Sequence, residues 1–194
     1  ASPMIHPVTG ELISSYKRLM NDPATAEIWQ TAFGKDFGGM AQGDDKTGQK
    51  GTNSMFVMRH EEIIKAYLDK QKFTYAKVVV DHRPQKEDAN RIRITAGGNL
   101  IKYRGDVSTH TADLCTSKLL WNSVLSTADA QFMCIDIKNF YLTAALDYFE
   151  YMRMPLELFP AWIRKQYDLD NCAYKGFVHL RLERAVWGLP QAGI

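Results

Sequence analysis

Cysteine is scarce in this chain of 194 residues, and long hydrophobic runs are absent. The three cysteines are widely spaced and form neither a CxxC pair nor a His/Cys cluster, which argues against a disulfide framework and a structural zinc site. No apolar run reaches the roughly 18 residues of a membrane helix. No charged segment followed by an apolar core opens the chain, so a signal peptide is not predicted. We therefore expect an intracellular protein that is not secreted and does not contact a membrane.

An excess of one charge is also lacking. The chain has 24 basic and 22 acidic side chains and a net charge of only +2. This balance does not by itself indicate a nucleic-acid-binding protein, because any basic surface must be local. Hydrophobic residues make up 45% and charged residues 24%, which excludes disordered and collagen-like chains. The length predicts one domain or slightly more.

Hydrophobic periodicity predicts helices and strands in mixed order. Asp22 as N-cap, Pro23 as first residue and a stop at the glycine pair 38–39 favour a helix over residues 24–37. The glycine-rich stretch 43–53 is expected to be an exposed loop. Further helices are predicted over 61–68, 111–126 and within 155–167, and strands over 55–58, 75–80, 91–95, 99–103, 132–135, 150–154 and 177–182. The glycine pair at 97–98 is expected to turn the chain, so that 99–103 returns as the second arm of a hairpin with 91–95. This order favours the α+β class over a doubly wound sheet.

Asp136 directly follows the apolar segment 132–135, which we expect to be a buried strand. A carboxylate at the end of such a strand is well placed to hold a divalent cation, because Mg²⁺ binds few carboxylates together with substrate phosphates. The alternative is that Asp136 caps the segment 137–142. One carboxylate cannot form a two-metal site, and the pair at 44–45 lies in a glycine-rich loop without a preceding strand.

Basic residues concentrate in the stretch 77–104, which has seven Lys/Arg and three acidic side chains. Arg91 and Arg93 are two residues apart and therefore lie on one face of a strand. Arginine guanidinium groups match phosphate oxygens with two parallel hydrogen bonds. The stretch is either a phosphate-binding surface or a solvated face of a hairpin.

Two segments carry a family resemblance. Residues 133–142, Met-Cys-Ile-Asp-Ile-Lys-Asn-Phe-Tyr-Leu, resemble the first catalytic motif of copia-type (pseudoviral) retrotransposon reverse transcriptases. Residues 186–193, Val-Trp-Gly-Leu-Pro-Gln-Ala-Gly, resemble the next motif, and the order and separation of the two motifs fit. Residues 150–155 are similar to a strand of the same family, and residues 6–10, 51–53 and 105–109 to recurrent segments of copia-type polyproteins.

The resemblance implies a right-hand polymerase, with an N-terminal extension and fingers helix over 1–60, fingers with a basic hairpin over 61–130 and a partial palm over 131–194. It implies RNA-directed DNA polymerase activity, which adds deoxynucleotides to a primer by phosphoryl transfer with two Mg²⁺ ions, or Mn²⁺. The expected partners are an RNA or DNA template-primer, a deoxynucleoside triphosphate and the remainder of the polyprotein palm. The expected location is a cytoplasmic particle or the nucleus.

The resemblance also assigns roles to individual residues. Asp136 would be the catalytic carboxylate and a metal ligand, and the backbone carbonyl of Ile137 a second ligand. Tyr141 would pack under the sugar and exclude a ribose 2′-OH, although an ordinary core tyrosine is the alternative. Gln191 would contact the incoming nucleotide. The expected triphosphate ligands are Lys86 and Arg91 with Arg93 as the fallback, and the expected template and primer contacts are Trp187, Gly188 and Pro190.

The family's other two carboxylates belong to an aromatic-x-Asp-Asp hairpin that follows the second motif. These 194 residues do not contain it, so we expect an N-terminal piece of a longer polypeptide that is inactive by itself. Two other hypotheses remain open. The chain could be a non-catalytic nucleic-acid-binding remnant of a retroelement polymerase, or a structural domain that has only inherited the motifs.

Overall fold

The computed structural model describes residues 2–103, 105, 112–135, 137 and 140–192. These residues alternate between helices and strands. The elements are β1 (Met4–Ile5), β2 (Leu12–Ile13), α1 (Tyr16–Asn21), α2 (Ala26–Met40), β3 (Met55–Val57), α3 (His60–Leu68), β4 (Phe73–His82), β5 (Asn90–Ala96), α4 (Leu114–Ser126), β6 (Ala145–Pro155), α5 (Ala161–Gln166), α6 (Leu169–Cys172) and β7 (Phe177–Arg184), with 3-10 turns over Gly98–Leu100, Phe140–Thr143 and Leu156–Leu158. The predicted α+β class is confirmed. No helix in these ranges is long and apolar enough to cross a membrane.

Five strands form the main sheet in the order β3-β7-β6-β4-β5. The β4–β6 pair is parallel and the other three pairs are antiparallel. β5 lies at one edge, where Ile92 and Ile94 are buried and the intervening arginines are half-buried. This alternation follows from the two-residue period of a strand. The predicted division into 1–60, 61–130 and 131–194 stays a prediction, and all three ranges contribute strands to this sheet.

The core lies between the sheet and helices α1 and α2. Trp29, Phe33 and Phe37 recur at four-residue spacing on one face of α2 and are fully buried. The ring of Tyr16 stacks on Phe33 at 5.0 Å, and Phe159 meets Phe33 edge-on at 5.5 Å. Aromatic pairs in these geometries contribute beyond their buried area. α2 is therefore held firmly against the sheet.

The glycine pair at 38–39 does not end α2, so that predicted stop is wrong. The helix continues to Met40, and the following loop folds back on it: the Ser54 N–H donates to the Met40 carbonyl at 2.8 Å. A Cβ on Gly38 would lie 2.7 Å from the carbonyl carbon of Gly43. Glycine is needed here because the loop backbone touches the helix, not because the helix stops. The loop is also less exposed than predicted, since Asp44 is buried within it.

Two predicted strands are wrong. Residues 132–135 are irregular and exposed, with 77% of Met133 accessible, although we expected a buried strand. Residues 99–103 do not return as an arm of a hairpin, because the partner of β5 is β4 and the chain makes a 3-10 turn over Gly98–Leu100. A short apolar run does not specify a strand unless another strand pairs with it.

Candidate anion-binding cleft

A cleft of about 720 Å³ lies between α2 and the β4–β5 hairpin. Side chains of α2, several residues of the hairpin and residues from the C-terminal half of the chain line it. Its charged lining consists of five basic residues (Lys35, Arg83, Lys86, Arg91 and Arg93) and three acidic residues (Asp36, Glu87 and Asp88). All three predicted triphosphate ligands are therefore in one cleft, and its lining carries a net positive charge.

The hairpin positions these cations. Arg91 pairs in register with Asp81 and Arg93 with Val79, so both arginines belong to the regular part of the ladder. Lys86 is exposed in the turn, where its N–H donates to the carbonyl of Arg83 at 2.9 Å. The strand thus fixes the backbone positions of two arginines, and the turn supplies an exposed lysine.

Ion pairs neutralise only part of this charge. Lys35 pairs with Asp88 at 3.7 Å, and Arg83 with Asp81 at 2.5 Å. Within the part of the chain that the structure describes, Lys86, Arg91 and Arg93 make no ion pair. Three of the five cations in the lining therefore keep their charge available.

Arg93 has the most unusual surroundings of the three. Its guanidinium carbon lies 5.8 Å from the centre of the Trp187 ring. Its Nε is buried and has no hydrogen-bond partner among the described residues. Leaving a buried charged donor unpaired costs about 1–3 kcal/mol or more, so an anion that accepts from Nε would recover this energy.

Asp36 is a cleft residue that the sequence patterns above did not single out. Its carboxylate accepts the Ile94 N–H at 2.7 Å and so links α2 to β5. Burial raises the pKa of Asp36 to about 7, although the hydrogen bond from Ile94 and the charges of Arg91 and Arg93 oppose this shift. The sequence contained a signal for its position: Asp36 is four residues from both Ala32 and Met40, so it shares a helix face with two apolar residues, which are both buried.

Asp36→Asn is expected to remove a pH dependence of stability. The pKa of Asp36 is raised from its ordinary value of 3.8 to about 7, so between these values the folded state binds a proton more tightly than the unfolded chain. The free energy of unfolding therefore falls as pH rises through this window. Roughly three pKa units correspond to at most about 4 kcal/mol, and less where water reaches the carboxylate. Urea unfolding of wild type and variant from about pH 4 to pH 8 measures this. If the free energy of unfolding changed with pH equally in wild type and variant, Asp36 would not be the cause of the pH dependence.

Residues of both motif segments, 133–142 and 186–193, line this cleft. Ile137, the predicted second metal ligand, lines it, and its carbonyl accepts the Phe140 N–H at 3.3 Å. Trp187 lines the same cleft. Asp136 and the side chain of Tyr141 lie outside the described residues, so their predicted roles stay predictions.

The turn after Val186 packs on the end of β5. The Ala96 N–H donates to the carbonyl of Trp187 at 2.7 Å. Gly188 has a φ of +91°, and a Cβ there would lie 2.2 Å from the Ala96 carbonyl oxygen. Pro190 follows in this turn, and a Cβ on Gly98 would lie 3.4 Å from its Cδ. The predicted contacts of Trp187, Gly188 and Pro190 with template or primer stay predictions.

Gln191 faces a different cavity. Its Nε2 donates to Glu150 Oε1 at 3.4 Å, and it lines a cavity of about 170 Å³ together with Tyr103 and Tyr148. Burial raises the pKa of Glu150, and the hydrogen bond from Gln191 partly offsets this. The structure therefore does not bring Gln191 together with the cations of the hairpin.

A metal site is not found in the part of the chain that the structure describes, where no group of three His, Cys, Asp or Glu side chains could hold an ion. The expected Mg²⁺ or Mn²⁺ ions remain predictions. Comparison of the chain with protein-family models, with curated proteins and with solved structures gave no match.

Proposed function

We propose that the cleft binds the phosphate groups of a deoxynucleoside triphosphate, and that the chain forms the fingers and first part of the palm of a retrotransposon-type RNA-directed DNA polymerase. The observation that carries the proposal is the cluster of Lys86, Arg91 and Arg93, which have no ion-pair partner among the described residues and line one cleft. Ile137 and Trp187, from the two motif segments, line the same cleft. The cleft volume is within the usual range for small-molecule sites.

These residues suit the charge and shape of a triphosphate. Phosphoryl transfer depends mainly on positioning and on neutralising charge at the phosphate oxygens, which is the chemistry that guanidinium and ammonium groups supply. Arg93 offers a buried donor, and its guanidinium carbon lies 5.8 Å from the centre of the Trp187 ring, which also lines the cleft. Asp136 and the carbonyl of Ile137 would hold Mg²⁺ or Mn²⁺, which neutralises phosphate charge when bound. The remaining carboxylates would come from the rest of the polyprotein palm.

A second candidate is a non-catalytic nucleic-acid-binding remnant. The hairpin turn over residues 84–88 is exposed, so a long phosphate backbone can reach Lys86 as easily as a nucleotide can. The two candidates differ in what they bind best: a triphosphate group in a cleft, or an extended strand along a surface.

Binding measurements distinguish the two candidates. We expect a deoxynucleoside triphosphate to bind the chain in calorimetry and tripolyphosphate to displace it, because both place phosphates on the same cations. Lys86→Ala should weaken both by about fivefold, since one charge-assisted contact is lost. Lys50→Ala, which removes an exposed lysine that does not line the cleft, is the matched control. Binding of an oligonucleotide without binding of the triphosphate would favour the remnant, and binding of neither would contradict both candidates.

A further inference from the structure

The outer edge of β5 is anchored at two points. β5 is the last strand of its sheet, so the N–H groups on its outer edge have no neighbouring strand to bond. The Ile94 N–H donates instead to the Asp36 carboxylate at 2.7 Å, and the Ala96 N–H to the Trp187 carbonyl at 2.7 Å. Helix α2 and the 186–191 turn therefore hold this strand from the same side.

Arg93 lies next to both anchors. It immediately precedes Ile94, and its guanidinium lies over the ring of Trp187, whose carbonyl makes the second anchor. Arg91 is two residues earlier on the same face. A shift of β5 along or away from α2 would therefore move both guanidinium groups relative to the other side of the cleft. Small displacements of this kind are costly where a ligand needs several simultaneous contacts.

We propose that Asp36 is a positioning residue for the anion site, which holds β5 through the Ile94 amide so that Arg91 and Arg93 meet a bound polyphosphate together. This inference rests on the proposed binding of phosphates by the cleft. It assigns a favourable role to an acidic residue in a site for anions, where charge alone predicts an unfavourable one.

Several charged groups share the cleft lining with Asp36. Lys35 precedes it on α2, and the hairpin contributes Arg83, Lys86, Glu87, Asp88, Arg91 and Arg93. Lys35 pairs with Asp88, so Asp36 does not serve as the partner of that lysine. Glu87 is exposed, lines the cleft and makes no ion pair among the described residues, so it provides an acidic control without a link to β5.

We expect three variants to differ in their affinity for tripolyphosphate at about pH 8. Asp36→Ala removes both the charge and the hydrogen-bond acceptor, and we expect the dissociation constant to rise about tenfold because the strand loses one anchor. Asp36→Asn keeps an acceptor for the Ile94 amide and removes the charge, so it should bind at least as tightly as wild type. Glu87→Ala removes only a charge and should bind slightly more tightly.

The experiment is calorimetric titration of the whole chain with tripolyphosphate, with circular dichroism and thermal melting to establish that each variant is folded. If Asp36→Ala unfolds, Asp36→Ser replaces it, because the shorter hydroxyl does not reach the amide. Asp36→Ala binding as tightly as Glu87→Ala would overturn the proposal, and so would an Asp36→Asn variant that loses affinity while folded. Failure of wild type to bind tripolyphosphate would instead reject the proposed function, so the two failures are distinguishable.

Discussion

Replacing Arg91 and Arg93 together by alanine is expected to weaken binding of tripolyphosphate by about 100-fold. Each guanidinium can make a charge-assisted hydrogen bond to phosphate, worth roughly 1.5–3 kcal/mol, which is about a factor of ten or more. Both arginines line the cleft, and neither makes an ion pair among the described residues. Their positive charges are therefore available to a ligand.

The same double variant changes the salt dependence of nucleic-acid binding. Each neutralised phosphate releases counterions and contributes a slope of roughly −0.7 to −0.9 in a plot of log affinity against log salt concentration. Loss of two contacts should make the slope shallower by about two units and weaken all sequences alike. Fluorescence anisotropy with a labelled oligonucleotide, measured over a series of salt concentrations, provides the slope.

A second double variant controls for the loss of positive charge. Arg18 and Arg164 are arginines outside the cleft that pair with Glu11 and Asp170. Arg18→Ala with Arg164→Ala removes the same net charge and should leave both the affinity and the slope close to wild type. Equal slopes for wild type and the Arg91/Arg93 variant would show that the hairpin is a solvated face that contacts no phosphate.

Gly188→Ala is expected to destabilise the fold by roughly 3 kcal/mol, through a left-handed φ and a backbone clash. A Cβ at this position would lie 2.2 Å from the Ala96 carbonyl oxygen, and φ is +91°. The obstructing atom belongs to the backbone of the edge strand, so rotation of a side chain cannot relieve the contact. A loss of this size lowers the melting temperature of a domain this large by about 10 °C.

Gly176→Ala is the matched control for backbone strain. Gly176 has a similar φ of +79°, but no atom lies within 4 Å of the position that a Cβ would occupy. Its replacement should cost only about 1 kcal/mol, the usual penalty for a left-handed residue with a side chain. Similar losses for both variants would mean that the turn does not pack closely on β5. Gly98→Ala tests the same contact from the other side, because its Cβ would lie 2.1 Å from the Gly188 carbonyl oxygen.

Local periodicity was sufficient for several elements. The alternation of arginine and isoleucine over 91–95 predicted a half-buried strand, and the structure has β5 over Asn90–Ala96. Hydrophobic spacing predicted a helix over residues 24–37, and the structure has α2 over Ala26–Met40 with Trp29, Phe33 and Phe37 fully buried. Such patterns predict an element because the side-chain period of a strand or helix is a property of the segment itself.

Local periodicity could not predict which strands pair. Residues 99–103 were expected to form the return arm for β5, but the structure pairs β5 with β4 across the preceding turn. A strand was also expected at 132–135, where the described residues are exposed. The first error came from inferring a hairpin from the glycine pair at 97–98, and the second from inferring a strand from an apolar run. Local sequence does not show whether another strand is positioned to pair with a segment.

The sequence by itself determined the mixed α+β class and a local excess of basic residues at 77–104. Only the tertiary structure decided that Lys86, Arg91 and Arg93 line a cleft beside α2. It also decided that Asp36 accepts a hydrogen bond from the Ile94 amide and that Gln191 faces another cavity. The physical reason is that residue type and spacing are local properties. A cleft is formed by side chains that are distant in the chain, and contacts among those side chains determine which charges remain available for a ligand.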